Sequence, residues 1–210
     1  CTSEYSPVVA SNEDEIPIVY IQLDNELDYL SKEEYSKGTL QIESAIENFQ
    51  LGPKDVKLRG RGNTTWSFPK KPFQLKFDEP LEVLGMASAR KWLLLAHYSD
   101  KSLLRTELAF DLSRTSDLDW TSDSRFVELI INEEYLGLYQ LVEKIEATPD
   151  GVNSGQGFVL EYNRPGRLGT DDVYFESNFH FYTIKEPEVI VGDNQFELIR
   201  EYIISTENVL

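Results

Sequence analysis

The stretch Phe73-Gln74-Leu75-Lys76-Phe77 alternates apolar and polar side chains, a pattern typical of a β-strand with one buried face. The three apolar side chains share one face, and the two polar side chains lie on the other. Apolar or alternating runs on either side of this stretch predict further strands, at residues 16–23, 39–46, 54–59, 92–96, 126–131, 135–142, 158–162 and 179–184. Strands, mostly antiparallel, therefore dominate the predicted structure.

Two segments have helical periodicity. Leucines recur every four residues after Asp100, which we expect to cap a helix with one buried face; they are Leu104, Leu108 and Leu112. A second amphipathic helix is predicted from Asp193 to about Thr206. Together these patterns predict an α+β fold, in which a few helices pack against a mainly antiparallel sheet.

Composition limits the classes of function. Hydrophobic residues make up 40% of the 210 residues, which is enough for a substantial core. The formal net charge of −17 disfavours nucleic acid as a partner, because its phosphates would be repelled. We expect residues 1–15, which are polar and without periodicity, to form a flexible tether. Residues 16–210 then form the folded part.

The chain has a single cysteine, Cys1, so an internal disulfide is impossible. A cysteine followed by a polar run resembles a bacterial lipoprotein after removal of its signal peptide. This interpretation predicts a lipid on Cys1, attachment to a membrane, and an extracytoplasmic location in the bacterial cell envelope. The alternative is that the cysteine stands first by chance.

Basic residues concentrate in one segment of this acidic chain. Residues 54–76 contain seven of the 20 basic residues and one acidic residue, Asp55. The segment therefore carries a local charge of +6, which leaves −23 on the rest of the chain. The basic residues are Lys54, Lys57, Arg59, Arg61, Lys70, Lys71 and Lys76. One interpretation is an anion site, with phosphate as the expected anion. The alternative is a solvated basic face paired with the surrounding acids, which is the more common arrangement of a charge cluster.

Between the basic groups lies Gly60-Arg61-Gly62-Asn63-Thr64-Thr65. Two glycines beside an arginine let backbone amides approach a ligand, and asparagine tolerates a left-handed conformation. The spacing matches neither the Walker loop nor the dinucleotide-binding fingerprint. The segment is therefore interpreted as a phosphate-binding loop, and the alternative is that Arg61 and Asn63 only close a turn.

Several segments, in one order along the chain, resemble the CotH family of spore-coat proteins, an atypical protein-kinase-like group. They are residues 59–66 (RGRGNTTW), 69–77 (PKKPFQLKF), 84–86 (LGM), 91–96 (KWLLLA), 100–105 (DKSLLR), 134–139 (EYLGLY), 143–146 (EKIE) and 184–185 (IK). The ordered set is more specific than any one segment. The resemblance implies that residues 16–210 are the N-terminal part of an atypical kinase-like fold.

The resemblance also implies binding of ATP with Mg²⁺ and transfer of a phosphoryl group to a protein substrate. A kinase needs a cation on the phosphates and an acid beside it. The cations implied are Lys71 and Lys76, assisted by Arg61, and the acidic partner implied is Glu143. Two further residues complete the implied cofactor-binding set: Asn63 and Lys70.

The sequence departs from the family in one respect. Members carry a Trp-Asp-Phe-Asp-like segment that resembles a kinase metal-binding motif, and this sequence contains none. Either a further portion supplies it, or the chain binds without catalysis. The alternatives to a kinase are a surface module that binds a protein or a glycan, and a structural component of the envelope.

Overall fold

The structure is a computed structural model that describes residues 15–118, 120–145, 157–164, 166, 168 and 172–209. Cys1 and the rest of the predicted tether before Glu15 lie outside the described residues, so lipidation stays a prediction. The chain divides into two compact units, Cys1–Ile145 and Glu146–Leu210. Within the described ranges, no helix combines the length and the apolar character needed to cross a membrane.

The described part of the first unit contains seven strands and one α-helix. In chain order they are β1 (Ile18–Leu23), β2 (Ser36–Glu43), β3 (Leu51–Gly60), β4 (Phe73–Val83), β5 (Met86–Leu95), α1 (Arg105–Arg114), β6 (Ser124–Ile131) and β7 (Glu134–Glu143). The stretch around Phe73 is therefore a strand, as predicted, and it continues further than the alternating residues.

The seven strands form a closed barrel in the order β1-β2-β3-β4-β5-β7-β6. Closure depends on β1, which pairs antiparallel with β2 and parallel with β6, from Ile18 opposite Glu128 to Ile21 opposite Ile131. The predicted α+β fold resembling part of a kinase is therefore wrong. Periodicity indicated the strands, but it carries no information on the long-range pairing that closes the sheet.

The barrel interior is the core of the first unit. Alternate residues of each strand point inward, and the most deeply buried are Val19, Leu58, Trp92, Leu94, Val127, Leu129 and Ile131. Branched aliphatic side chains dominate this set and fill the interior. Polar side chains of the strands are consequently left on the outer face, where a ligand or a covering element can reach them.

Helix α1 lies on that outer face without burying any side chain fully. The prediction of a buried leucine face is wrong, because Leu104, Leu108 and Leu112 are 57%, 59% and 62% exposed. The helix contacts the barrel through a polar side chain instead: Glu107 accepts hydrogen bonds from Ser124 Oγ and from Gln140 Nε2. A four-residue repeat therefore identified the helix but not the face by which it packs.

The second unit has its own small core. Its described strands are β8 (Val159–Asn163), β9 (Tyr174–Glu176) and β10 (Phe181–Glu186), which form an antiparallel sheet in the order β8-β10-β9, and its helix is α2 (Asn194–Glu207). Helix α2 buries Phe196 and Ile199, and Ile203 packs against the same cluster. The predicted second helix and its apolar face are confirmed.

Asp193 caps α2 and gives a pH-dependent prediction. Its Oδ1 accepts from Phe196 N at 2.6 Å and its Oδ2 from Ile190 N at 3.0 Å. These backbone hydrogen bonds lower the pKa of Asp193. Asp193→Ala should therefore lower the urea midpoint at neutral pH. Because the folded-state pKa is depressed, the difference from the parent should vanish as pH falls through that pKa.

The measurement is urea unfolding followed by circular dichroism at several pH values. Glu188→Ala, which removes an exposed carboxylate outside the helix, is the matched control and should leave the midpoint unchanged. A pH-independent loss in Asp193→Ala would contradict the capping role of the ionised carboxylate.

Candidate functional site

The loop at residues 61–72 joins β3 to β4 and folds back onto the strands that carry it. Gly60 and Phe73 are paired at the strand ends, and Arg61 N donates to Pro72 O at 3.2 Å. The Trp66 ring lies against Gly60, where an added Cβ would be 2.4 Å from ring atoms. Gly62 has a φ of +85°, in the left-handed region that favours glycine. Both glycines singled out in the sequence are therefore needed for the shape of this loop.

One side of the loop borders an aromatic cleft of about 540 Å³. Its ring-bearing residues are Trp66, Phe73, Tyr98, Tyr135 and Tyr139. Tyr139 stacks on Phe73 with ring centroids 6.1 Å apart, and Trp66 meets Phe73 edge-on at 6.4 Å. These rings make one wall of the cleft apolar.

Two lysines line the same cleft and are held against its rings. Lys71 Nζ lies 4.6 Å from the Trp66 ring centroid and donates to Trp66 O at 2.9 Å. Lys70 Nζ lies 4.4 Å from the Tyr139 ring centroid and donates to Leu138 O. Tyr139 Oη donates to Lys71 O at 2.9 Å, which fixes the backbone of the lysine pair. Burial raises the pKa of Tyr139, so its hydroxyl keeps the proton that makes this hydrogen bond.

The other side of the loop borders a basic cavity of about 300 Å³. Its charged residues are Arg61, Lys70, Arg105 and Asp100, so three basic residues and one acidic residue line it. Other polar residues complete the lining: Thr65, His97, Ser99 and Thr106. Lys70 and Tyr98 line both this basic cavity and the aromatic cleft, which are therefore neighbours.

Arg61 is the most informative residue of the basic cavity. Burial lowers its pKa, and no nearby acid contributes to the shift. Within the described ranges, its guanidinium has neither a hydrogen bond nor an ion pair. Burial also lowers the pKa of Lys70. A partly desolvated guanidinium without a partner is costly, and a bound anion would offset that cost.

The carboxylate of Asp100 is already engaged. Its Oδ1 accepts from Ser102 Oγ at 2.7 Å and from Ser102 N at 3.1 Å, and its Oδ2 accepts from Arg105 N at 3.0 Å. The hydrogen bond from Ser102 is the largest cause of its lowered pKa. The prediction that Asp100 is the N-cap is therefore wrong, because Leu104 occupies that position and makes no side-chain cap hydrogen bond. Asp100 contacts the helix only through Arg105 N, the first helical residue. Its role in the cavity is to orient Arg105, whose Nε lies 3.6 Å away.

The structure brings together three of the six residues implied by the family resemblance: Arg61, Lys70 and Lys71. Asn63 lies in the loop but lines neither the cleft nor the cavity. Lys76 lies further along β4, opposite Lys57 and Lys91. Glu143 is buried opposite Trp92 on β7. The assignment of Lys76 and Glu143 to a nucleotide site stays a prediction, and these two residues do not line the cavities beside the loop.

Sequence reasoning assigned no role to Arg105, Tyr98 or His97. Arg105 was visible as the last residue of the family-like segment 100–105. Its place beside Arg61 depends on the path of the chain from β5 into α1, which no spacing reveals. His97 Nε2 lies 2.7 Å from Gln140 Oε1 and so is engaged with the barrel.

The residues around the loop were predicted to bind a metal-bound nucleotide, so their ability to hold a metal ion also matters. Among the described residues, no group of three or more His, Cys, Asp or Glu side chains is close enough together to hold a metal ion. The one carboxylate of the basic cavity already accepts hydrogen bonds from Ser102 and from Arg105 N. The described residues therefore offer no all-protein cage for a metal ion, whereas Mg²⁺ on a nucleotide is usually held by one or two carboxylates together with the phosphates.

Comparison with known proteins identifies the family. Residues 58–172, more than half of the chain, match the family described as CotH kinase protein. The chain therefore belongs to the CotH family. A search of the curated proteins finds no match. The matched range includes the loop, the basic cavity and the aromatic rings on β4 and β7.

The contact between Gly60 and Trp66 yields a prediction about the loop. Gly60→Ala places a Cβ into the Trp66 ring and should lower the free energy of unfolding by about 1–3 kcal/mol, the usual cost of overpacking. Urea unfolding measures this loss. Gly52→Ala is the matched control on the same strand, because an added Cβ there meets nothing within 4 Å. Equal stability of the two variants would contradict the packed position of Trp66.

Proposed function

We propose that the chain binds the phosphates of ATP in the basic cavity, as the nucleotide-binding portion of a CotH-family protein kinase. The observation that carries the proposal is the partly desolvated Arg61 guanidinium, which has no counter-charge among the described residues. Arginine presents a planar fork of donors that matches two phosphate oxygens, and Lys70 adds a point charge in the same cavity. Membership of the CotH family supports the same function.

The adjoining aromatic cleft suits the rest of the nucleotide. Purine bases stack on aromatic rings, and the cleft offers Tyr98 and Tyr135 for this purpose, which are 42% and 57% exposed. The cleft volume of about 540 Å³ is within the range of small-molecule sites. Because Lys70 and Tyr98 border both cavities, one ligand can span from the cleft to the basic cavity.

When bound, ATP would supply the phosphoryl group that is transferred to a protein. The residues of this chain would neutralise the phosphate charge, and the cations available in the lining are Arg61, Arg105 and Lys70. The described residues offer no all-protein cage for Mg²⁺, so the proposal assigns them phosphate binding and no metal-dependent step. The Trp-Asp-Phe-Asp-like segment absent from this sequence is where the family resemblance puts that task.

The charge of Arg61 gives the direct test. Arg61→Gln keeps a polar side chain but removes the cation and most of its donors. Losing a charged hydrogen bond costs about 1.5–3 kcal/mol, so the Kd for ATP should rise roughly 10- to 100-fold. Calorimetric titration of the chain with ATP, with and without Mg²⁺, measures the change.

Arg200→Gln is the matched control, because it makes the same substitution at a partly exposed residue of the second unit. Its Kd should equal that of the parent chain. Equal binding by Arg61→Gln would contradict the proposed site. An absence of ATP binding by the parent would favour the alternative, a surface module that binds a protein or a glycan.

A further inference from the structure

Four lysines stand directly opposite one another on four neighbouring strands. Lys37 on β2 pairs with Lys57 on β3, Lys57 with Lys76 on β4, and Lys76 with Lys91 on β5. Residues in register share a face of the sheet, and the neighbours of Lys57, Val56 and Leu58, point into the core. The lysine row, Lys37-Lys57-Lys76-Lys91, therefore crosses the outer face of the barrel. With strands about 4.8 Å apart, it spans about 14 Å.

Like charges directly opposite each other destabilise a sheet. The structure compensates part of this row, since Lys57 forms an ion pair with Asp78, and Asp78 also attracts Lys76. Lys91 has an interaction partner of its own. Within the described ranges, the ammonium groups of Lys37 and Lys76 have neither a hydrogen bond nor an ion pair. An arrangement that costs stability and leaves cations unpaired indicates an external anion.

A fifth cation stands beside the row. The Arg59 guanidinium lies 4.7 Å from the Tyr35 ring centroid, and Lys76 Nζ lies 5.8 Å from the same centroid. Gln74 Nε2 donates to Tyr35 Oη at 2.5 Å, which holds the ring in place. Arg59 Nε is buried and has no hydrogen-bond partner among the described residues. The ring thus orients a guanidinium that retains an unused donor.

We propose that the lysine row docks an acidic segment of a polypeptide partner. A cavity of about 320 Å³ is lined by three lysines of the row and also by three carboxylates: Asp24, Asp55 and Asp78. A dense polyanion would meet these carboxylates, and the net charge of −17 would repel it at long range. A peptide with spaced carboxylates can place each one between lysines. The mixture of lysines and carboxylates therefore matches a peptide with spaced negative charges better than polyphosphate or nucleic acid, whose negative charges are dense.

The lysine row is separate from the cavities beside the loop. The Lys57–Lys76 pair lies three residue pairs along the strands from the Gly60–Phe73 pair. At about 3.3 Å per residue, the two sites are about 10 Å apart along β3. The docking proposal therefore stands independently of ATP binding, and the two can fail separately.

The test is binding of a short fluorescent peptide of alternating glutamate and serine, followed by anisotropy. The parent chain should bind it, more weakly as salt is added. The double variant Lys37→Gln/Lys76→Gln should raise the Kd by roughly tenfold, since exposed charge pairs contribute up to about 1 kcal/mol each. ATP binding by the single variant Lys37→Gln, which keeps every residue implied for the nucleotide, should be unchanged.

The control variant, Lys54→Gln/Arg164→Gln, removes the same charge from exposed positions outside the row and should bind the peptide like the parent. The proposal is overturned if this control loses as much affinity, or if a glutamine-serine peptide binds equally well. Tighter binding of polyphosphate or single-stranded DNA than of the acidic peptide also overturns it. If a lysine-row variant also lost ATP binding, the row would belong to the nucleotide site and the docking proposal would be wrong.

Discussion

The parallel pairing of β1 with β6 is the constraint on which the first unit depends. It joins the two ends of the strand order and leaves the interior to branched aliphatic side chains. A filled interior cannot receive a polar ligand. Function is consequently confined to the barrel's ends, where loops leave the sheet, and to its outer face, where the polar side chains of the strands point.

The β3–β4 loop at the barrel's end and the lysine row on its outer face both concentrate basic residues in an otherwise acidic chain. At the loop, the contact of Trp66 with Gly60 holds the chain close to the sheet, and Arg61 is partly buried beside Lys70. On the outer face, strand register alone sets Lys37, Lys57 and Lys76 side by side. The basic segment 54–76 thus serves two separate surfaces, because β3 and β4 run from one to the other.

Local patterns predicted local structure well, because alternation and turn chemistry act between near neighbours. The strands predicted at 126–131 and 135–142 are an example, because they lie within β6 and β7. Asn132 and Glu133 between them have φ of +48° and +67°, as a tight hairpin turn requires. Barrel closure was not predictable, since it depends on pairing between strands far apart in the chain. The prediction that the leucines of α1 are buried was wrong for a related reason. The helix packs through Glu107, because Ser124 and Gln140 on the outer face of the barrel donate hydrogen bonds to it.

The candidate site was predicted only in part, because sequence patterns locate neighbours along the chain but not residues brought together by the fold. Arg61, Lys70 and Lys71 lie in one loop, so sequence proximity became spatial proximity. Arg105 joins them only because β5 and α1 meet at this end of the barrel. Lys76 was implied beside the loop residues by family resemblance, yet the strand carries it away along the sheet. Extended backbone separates residues that a loop would keep together.

Photoaffinity labelling with azido-ATP, followed by peptide mapping by mass spectrometry, tests the central claim most directly. The account predicts that the label attaches to residues lining the aromatic cleft, within 66–73 or 134–139 or at Tyr98, and that excess ATP prevents it. Label on the lysine row or on the second unit, or labelling that ATP does not prevent, would contradict the assignment of the nucleotide to the β3–β4 loop.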